Sequence, residues 1–275
     1  MARHDPNNRT VYWNDRNIPG LSLMCADFTT HSYAPHVHEA FVVAVTETGG
    51  AEIKSRGQVG QAHASRLFAF NPGEPHSGWM GASHSWRYRG FYLPQPAIRA
   101  VAEGLGIDRI PYFLRNDFTD ADLVAGFLQL HRRLQSADDT LAEREALLAA
   151  FGMLFDRHGD GGERPAAPPG DRALFERLRK IMAERQAEAL TLDGLGREFG
   201  LTEFQLIGLF NRVIGITPYA YLTQLRLNTA CRLLKRHHPI AEAALAAGFY
   251  DQSALTKHFK RCYGITPLQF AKAAA

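Results

Sequence analysis

The sequence predicts an α+β protein with a β-rich N-terminal domain, two trailing helices and an all-α C-terminal domain. Short apolar and aromatic runs alternate with Gly, Pro and Asn turn signals in the first half, as in a small β-barrel or sandwich. Residues 159–170 are rich in Gly and Pro, and only helical patterns follow them. We therefore expect one domain over residues 1–158, a linker over 159–171 and a second domain over 172–275.

Basic and acidic residues are divided unevenly between the two halves. Residues 172–275 hold 15 Lys and Arg against 8 Asp and Glu, whereas residues 1–171 hold 16 against 20. This asymmetry indicates that the C-terminal domain meets a polyanion. Variation in charge between domains without functional meaning is the alternative.

Cysteine usage and hydropathy predict a cytoplasmic protein outside membranes. Cys25, Cys231 and Cys262 form no Cys-x-x-Cys pair, as expected of reduced thiols. No apolar run approaches the roughly 20 residues of a membrane span, and the first residues show no signal-peptide pattern.

Local patterns predict the elements of the N-terminal half. Strands are expected at residues 41–45, Leu67–Phe70 and Trp86–Leu93. Two helices should follow, each opened by a capping box: Thr119 with Asp122, and Thr140 with Glu143. Their apolar faces are Leu123, Phe127, Leu130 and Leu134 in the first and Leu147, Phe151, Leu154 and Phe155 in the second. The pair packs on the sheet or forms a dimer seam.

An internal repeat organises the C-terminal half. Residues 206–218 and 255–267 share Leu, Phe, Arg, Gly, Ile, Thr and Pro at an offset of 49 positions. Each copy follows a short amphipathic helix, a glycine turn and a helix cap. These signals are Thr191, Gly200 and Thr202 in the first copy and Pro239, Gly248 and Asp251 in the second. The order of helix, glycine turn and capped helix indicates two helix-turn-helix units.

A connecting helix is predicted between the two units, over residues 218–236. Its buried face would be Leu222, Leu225, Ala230, Leu233 and Leu234. Nineteen residues span about 28 Å, close to the roughly 34 Å of one turn of B-DNA. The spacing favours two recognition helices in successive major grooves over a helical bundle with no role in DNA binding.

Four segments of this domain closely resemble the AraC/XylS family of transcription regulators. They are RLNTACRLL at 226–234, IAEAALAAGF at 240–249, DQSALTKHFKR at 251–261 and GITP at 264–267. The resemblance covers about residues 175–271 and implies a seven-helix domain with two helix-turn-helix units. It also implies a sequence-specific, effector-responsive regulator, more often an activator. The implied partners are double-stranded promoter DNA, a small-molecule effector, a second copy of the chain and, for an activator, RNA polymerase.

The second unit carries the stronger candidates for base recognition. In the first turns after its cap they are Gln252, Ser253, Thr256 and Lys257. Gln pairs with adenine, Lys favours guanine, and Ser or Thr is permissive. By the resemblance Gln252, Ser253 and Lys257 face bases; the alternative is that they are merely solvated. Lys260 and Arg261 are expected to contact phosphates.

The first unit departs from the family's pattern. Its candidates are Thr202, Glu203, Phe204, Ile207 and Gly208. Many relatives have Arg where Gly208 stands, and glycine has no side chain to read a base. Ile207 can meet a thymine methyl and Phe204 a sugar, but neither gives strong polar recognition. We therefore expect the second unit to supply more of the sequence specificity.

The N-terminal half resembles the cupin barrel that is the sensory domain of many AraC-type regulators. The similarity covers about residues 11–93 and rests on PHVHE at 35–39 and NPGEPH at 71–76. It implies a pocket for a small effector, usually coupled to dimerisation. The effector-binding candidates are His36, His38, His76, Trp79, Trp86 and Tyr88.

Alternation along the strand Trp86–Leu93 separates two kinds of side chain. Trp86 and Tyr88 should point to one side of the sheet, and Arg87 and Arg89 to the other. The pattern leaves open which pair lines the pocket. Aromatic walls would suit an apolar effector, whereas an Arg would pair with a carboxylate.

His36, His38 and His76 also match the histidine ligands of a cupin metal site, and imidazoles suit Zn, Fe, Cu or Ni. The Glu of the cupin enzymes is missing, because Val42 and Val43 stand in its place. We expect no metal, no cofactor and no catalytic residue, and so no enzyme. Two alternatives are a metal-dependent cupin enzyme fused to a DNA-binding domain and an alkyl-transfer DNA repair regulator. The second would need an activated cysteine thiolate.

Overall fold

A computed structural model of the chain describes residues 7–136, 140–159, 169–201 and 203–274, without the side chains of residues 140, 141, 169, 203, 204 and 274. The chain forms two compact units. The first comprises Met1–Ser32, His38–Glu74 and Gly78–Arg164, and the second comprises Tyr33–Val37, Pro75–Ser77 and Pro165–Ala275. Within the described residues, every helix is too short or too polar to cross a membrane.

Antiparallel strands build the N-terminal half. They are β1 Asn8–Asn14, β2 Ser22–Phe28, β3 Ser32–His36, β4 Phe41–Ser55, β5 Gln58–His63, β6 Leu67–Phe70, β7 His76–Trp79, β8 Trp86–Leu93 and β9 Asp117–Phe118. Six of them run in the order β1-β2-β8-β4-β6-β9, β5 pairs with β4, and β3 pairs with β7. Among the described strands, β1 and β9 end this path without pairing with each other. The sheet is therefore open, and the expected barrel does not close.

Strand β4 is longer than the sequence predicts. It continues from residues 41–45 to Ser55, past a bulge between Thr46 and Thr48. Gly49 permits this, because its φ is +73° and a Cβ there would lie 2.0 Å from the Ser85 carbonyl oxygen. Glycine lets the two strands approach where any other residue would collide. Strands β6 and β8 have the predicted bounds.

Three helices belong to the N-terminal half. They are α1 Gln95–Gly104, α2 Ala121–Ser136 and α3 Thr140–His158. The eight apolar residues predicted for the last two are all buried, in one core with Leu23, Val43 and Phe91 of the sheet. The two predicted helices thus pack on the sheet, and α1 joins them without having been predicted.

The capping box expected at Thr119 and Asp122 is wrong. Helix α2 begins one residue later, and the Asp122 carboxylate binds Arg157 of α3 at 2.6 and 2.9 Å. A bidentate guanidinium competes strongly with a backbone N–H for the carboxylate. In the second box, the Thr140 side chain lies outside the described residues, and Glu143 accepts from Asn17 Nδ2 at 2.8 Å.

Helices are the only regular elements among the described residues 169–201 and 203–274. They are α4 Pro169–Glu184, α5 Leu192–Phe199, α6 Glu203–Ile214, α7 Pro218–Lys235, α8 Ile240–Ala246, α9 Gln252–Tyr263 and α10 Pro267–Ala274. Helix α4 begins inside the expected linker, because Pro is tolerated in the first turn of a helix. Residues 169–171 of the expected linker are therefore helical, and residues 160–168 of it lie outside the described residues. The seven described helices agree with the seven that the resemblance implies.

A buried histidine fastens α2 to the sheet. His131 has no exposed surface; its Nε2 lies 3.1 Å from the Met24 carbonyl oxygen and its Nδ1 3.0 Å from Arg89 Nη1. These partners require a neutral ring that donates through Nε2 and accepts at Nδ1. Burial, reinforced by the charge of Arg89, lowers the pKa of His131 to about 3.

Mild acid should destabilise the N-terminal unit through His131. An unfolded histidine titrates near pH 6.5, so between about pH 6.5 and 3 only the unfolded state binds the proton. The free energy of unfolding should then fall by about 1.4 kcal/mol per pH unit. The H131Q variant keeps a donor for Met24 and does not titrate, so its slope should be shallower by about that amount.

Urea unfolding at several pH values, followed by tryptophan fluorescence, measures this slope. Trp13, Trp79 and Trp86 all lie in the first unit and report on it alone. Identical slopes in wild type and H131Q would contradict a neutral buried ring.

Candidate functional site

The first helix-turn-helix unit consists of α5, a glycine turn and α6. Thr191 caps α5 by accepting from Gly194 N at 3.0 Å, and Gly200 ends it in the left-handed region at φ +67°. The predicted cap Thr202 and the Phe204 side chain lie outside the described residues. The turn and the first cap are as the sequence predicts.

The second unit repeats this construction with α8 and α9. Pro239 precedes α8, Gly248 turns at φ +89°, and Asp251 caps α9 by accepting from Ala254 N at 2.6 Å. All three predicted signals are confirmed. Helix α7 connects the units, and its eighteen residues span about 27 Å.

The loop after α4, at residues 186–188, connects the second helix-turn-helix unit to α7. Arg226 of α7 donates to the carbonyl oxygens of Gln186 at 2.7 Å and Glu188 at 2.9 Å. Gln186 Nε2 donates to Thr229 Oγ1 at 2.7 Å. Gly248 approaches so closely that a Cβ there would lie 2.7 Å from the Gln186 carbonyl oxygen. The loop is therefore held between α7 and the turn that precedes α9.

Helix α9 presents one polar face. Leu255 and Phe259 are buried, and the exposed side chains are Gln252, Ser253, Lys257 and Arg261. Thr256 and Lys260 are half-buried, and the Thr256 hydroxyl donates to the Gln252 carbonyl oxygen at 2.8 Å. The predicted base-reading and phosphate-binding residues thus share a helix whose first turns are accessible.

Positive charge concentrates on this helix. His258 lies among Lys257, Arg261 and Arg226, and its ring packs 5.7 Å from that of Phe249. Burial, with the charges of Arg261 and Lys257, lowers the pKa of His258, so the ring is neutral at pH 7. The cations around it favour a polyanion on this side of the domain.

Among the described side chains, α6 offers fewer exposed polar groups than α9 does. Leu206, Leu209 and Phe210 are buried, and Ile207 and Gly208 are half-buried. Arg212 is exposed, and its Nε donates to Asp171 Oδ2 of α4 at 2.8 Å. The sequence-based prediction missed Arg212, although it stands 49 positions before Arg261 in the repeat.

The two faces of β8 differ as predicted. Trp86 and Tyr88 are buried and stack on each other with ring centroids 4.3 Å apart, and Trp86 Nε1 donates to Thr46 Oγ1 at 3.1 Å. Arg87 and Arg89 lie on the other side, where Phe91 faces the helices. The alternation along β8 leaves open which pair lines the pocket. In the structure, Trp86 and Tyr88 face away from α2.

Two of the predicted histidines lie together in the second compact unit: the rings of His36 and His76 are 4.5 Å apart, whereas His38 belongs to the first unit. His36 Nδ1 donates to the Ala34 carbonyl oxygen at 2.7 Å, and burial, then His76, lowers the pKa of His36 to about 3. Neutral imidazoles are metal-ligating forms. Trp79 is half-buried on β7.

Cys25 and Cys262 give no sign of activation. Burial raises the pKa of Cys25, and burial raises the pKa of Cys262 to about 11. Alkyl transfer needs a thiol with a lowered pKa, so neither cysteine supports the repair alternative.

Two family models match the chain. An AraC-like ligand binding domain covers residues 18–151, and a helix-turn-helix domain covers residues 195–273. The chain is 29% identical over 220 residues to the uncharacterized HTH-type transcriptional regulator YbfI of Bacillus subtilis, with 79% of each chain covered. It is 37% identical over 95 residues to VirF, a virulence regulon transcriptional activator of Yersinia enterocolitica. That match covers 34% of this chain and 35% of VirF.

A solved structure has the same fold over nearly the whole chain. ToxT from Vibrio cholerae aligns with a TM-score of 0.54 at 10% identity, covering 98% of this chain and 99% of ToxT. At this identity the likeness concerns the fold, which is a sheet-rich domain followed by a helical one.

A ligand-binding domain followed by two helix-turn-helix units defines a two-domain transcription regulator. The chain carries both domains of the AraC family of these regulators. The sequence-based identification is therefore confirmed, and the family and relatives give no support to an enzyme.

Substitutions on α9 should separate base recognition from phosphate binding. We expect Q252A and K257A each to remove about 1–3 kcal/mol of discrimination at one or two base pairs, because each loses a hydrogen-bonding partner for a base edge. K260A and R261A should weaken binding to all sequences alike and lower the salt slope by about one each. Affinities for a panel of duplexes at two salt concentrations measure both effects.

The same panel of duplexes shows which helix-turn-helix unit contributes more of the sequence specificity. Unchanged preference in Q252A and K257A, with preference abolished in F204A, would make the first unit the principal reader and our ranking wrong.

Proposed function

We propose that this regulator binds promoter DNA in a sequence-specific way, as a homodimer that responds to a small effector, and activates transcription through RNA polymerase. The observation that carries the proposal is the accessible face of α9, with Gln252, Ser253 and Lys257 behind a well-formed Asp251 cap. Such a helix can enter the major groove with its N-terminal end first. The cytoplasm is the expected location.

The length of α7 supports binding of both units to one duplex. Its 27 Å is comparable with the roughly 34 Å turn of B-DNA, so one chain can address two successive major grooves. Activation is supported by VirF, whose name describes a transcriptional activator. Contact with RNA polymerase follows from activation and belongs to the same proposal.

The effector candidates combine polar and aromatic side chains. They are His36, His38, His76, Trp79, Trp86 and Tyr88. The stacked Trp86 and Tyr88 are almost fully buried and would supply apolar surface, and the histidines would supply hydrogen bonds. For an effector to regulate, it must bind two states of the protein unequally, and a coupling of about 1–3 kcal/mol gives a useful response.

A metal-dependent cupin enzyme is the alternative, and the adjacent rings of His36 and His76 are the observation in its favour. Metal analysis of protein purified without a chelator separates the two functions. Our proposal expects no stoichiometric transition metal, and one ion per chain would favour the enzyme.

Selection of bound sequences from random duplex DNA by the full chain, at two salt concentrations, tests the DNA-binding proposal. We expect an enriched motif with two parts about one helical turn apart, because α7 fixes the separation of the units. Binding without enrichment would limit the protein to phosphate contacts. No binding at either salt would overturn the proposal.

A further inference from the structure

Gly208 leaves a gap on the recognition helix of the first unit. In the 49-residue repeat, Gly208 corresponds to Lys257 and Arg212 corresponds to Arg261. The second unit therefore has a long cation at the position where the first has none. Arg212 lies four residues further along α6, one turn away on the same side of the helix.

The Arg212 side chain lies back over Gly208. A Cβ built on Gly208 would stand 3.1 Å from Arg212 Nη1. Long helical side chains lean towards the N-terminus of their helix, which here brings the guanidinium about one turn, or 5.4 Å, nearer to the end that enters the groove. The guanidinium thus lies in tight contact range of any side chain at position 208.

Asp171 holds the guanidinium there. Its carboxylate accepts from Arg212 Nε at 2.8 Å, while Arg212 is 58% exposed and Asp171 26% exposed. This bond uses one of the five N–H groups of the guanidinium. Both terminal nitrogens then keep N–H groups that match the O6 and N7 acceptors of guanine.

A surface ion pair between α4 and α6 would by itself explain the bond to Asp171. It would not explain why the guanidinium lies over the single glycine of α6. A side chain at position 208 would crowd the observed conformation of Arg212. The lack of a side chain at 208 and the position of the Arg212 guanidinium are therefore connected.

We propose that Arg212, positioned by Asp171, reads a guanine in the major groove for the first helix-turn-helix unit, in place of a side chain at position 208. This proposal rests on the proposed DNA-binding function. It adds a long cationic reader to the first unit, where the sequence predicts Thr202, Glu203, Phe204, Ile207 and Gly208.

Four variants of the full chain separate the possible roles of Arg212. R212A removes the cation, and R212K keeps the charge without the planar fork. D171N keeps Arg212 and removes its carboxylate partner. G208A places a methyl group 3.1 Å from the observed position of Nη1, so the guanidinium must shift by a few tenths of an ångström. It should raise the melting temperature, because Ala favours helix over Gly, yet weaken recognition. A merely structural role would not give these opposite changes.

The experiment measures affinity for the selected duplex and for duplexes changed at each base pair, at two salt concentrations. We expect R212A, R212K and G208A to lose about 5-fold or more of the preference for one guanine in the first half of the motif. D171N should lose part of it, and the salt slope of R212K should stay at the wild-type value. R179A, which breaks an exposed pair with Glu176 on α4, is the matched control and should retain the preference.

Equal weakening of all duplexes by R212A, with a shallower salt slope, would make Arg212 a phosphate contact and overturn the proposal. Unchanged preference in R212K and G208A would overturn it as well, and these two variants remain informative if R212A folds poorly. Failure of the wild-type chain to select any motif would instead refute the proposed function before a variant is compared.

Discussion

The contact between Gly248 and the Gln186 carbonyl oxygen is the constraint on which the geometry of the helical domain depends. Arg226 and Thr229 hold residues 186–188 against α7, and the turn before α9 rests on the same loop. A side chain at 248 would force the turn away from this loop and break its hydrogen bonds or tilt α9. Helix α7 sets the distance between the two units, and this junction sets the direction in which α9 points.

The N-terminal domain divides its tasks between the two faces of one sheet. On one face, the Arg89 guanidinium and the neutral His131 ring connect the sheet to α2. On the other, Trp86 and Tyr88 form an aromatic layer with Phe28. Strand β8 carries Tyr88 of the aromatic face and Arg89 of the helix-facing side next to each other. This adjacency would give a ligand on the aromatic face a short physical route to α2.

Local signals in the sequence were sufficient where the structure depends on a few neighbouring residues. Thr191 and Asp251 cap the helices they precede, and the alternation along β8 separates aromatic from basic side chains. Partners distant in sequence were not predictable. Asp122 binds Arg157, 35 positions away, instead of capping α2. Arg212 meets Asp171, 41 positions away. The open sheet likewise depends on pairings that no local pattern records.

The same distinction between local and distant partners applies to the site residues. The polar face of α9 could be predicted because Leu255 and Phe259 mark its buried side. The grouping of His36 with His76 was suggested only by resemblance, since 40 positions separate them.

The two copies of the repeat share their structural residues but differ at positions on their recognition helices. Both end in Gly-Ile-Thr-Pro, but one presents Lys257 where the other has Gly208. Two identical readers would require the same short base sequence twice, whereas two unequal readers on one chain would require two different base sequences in a fixed order.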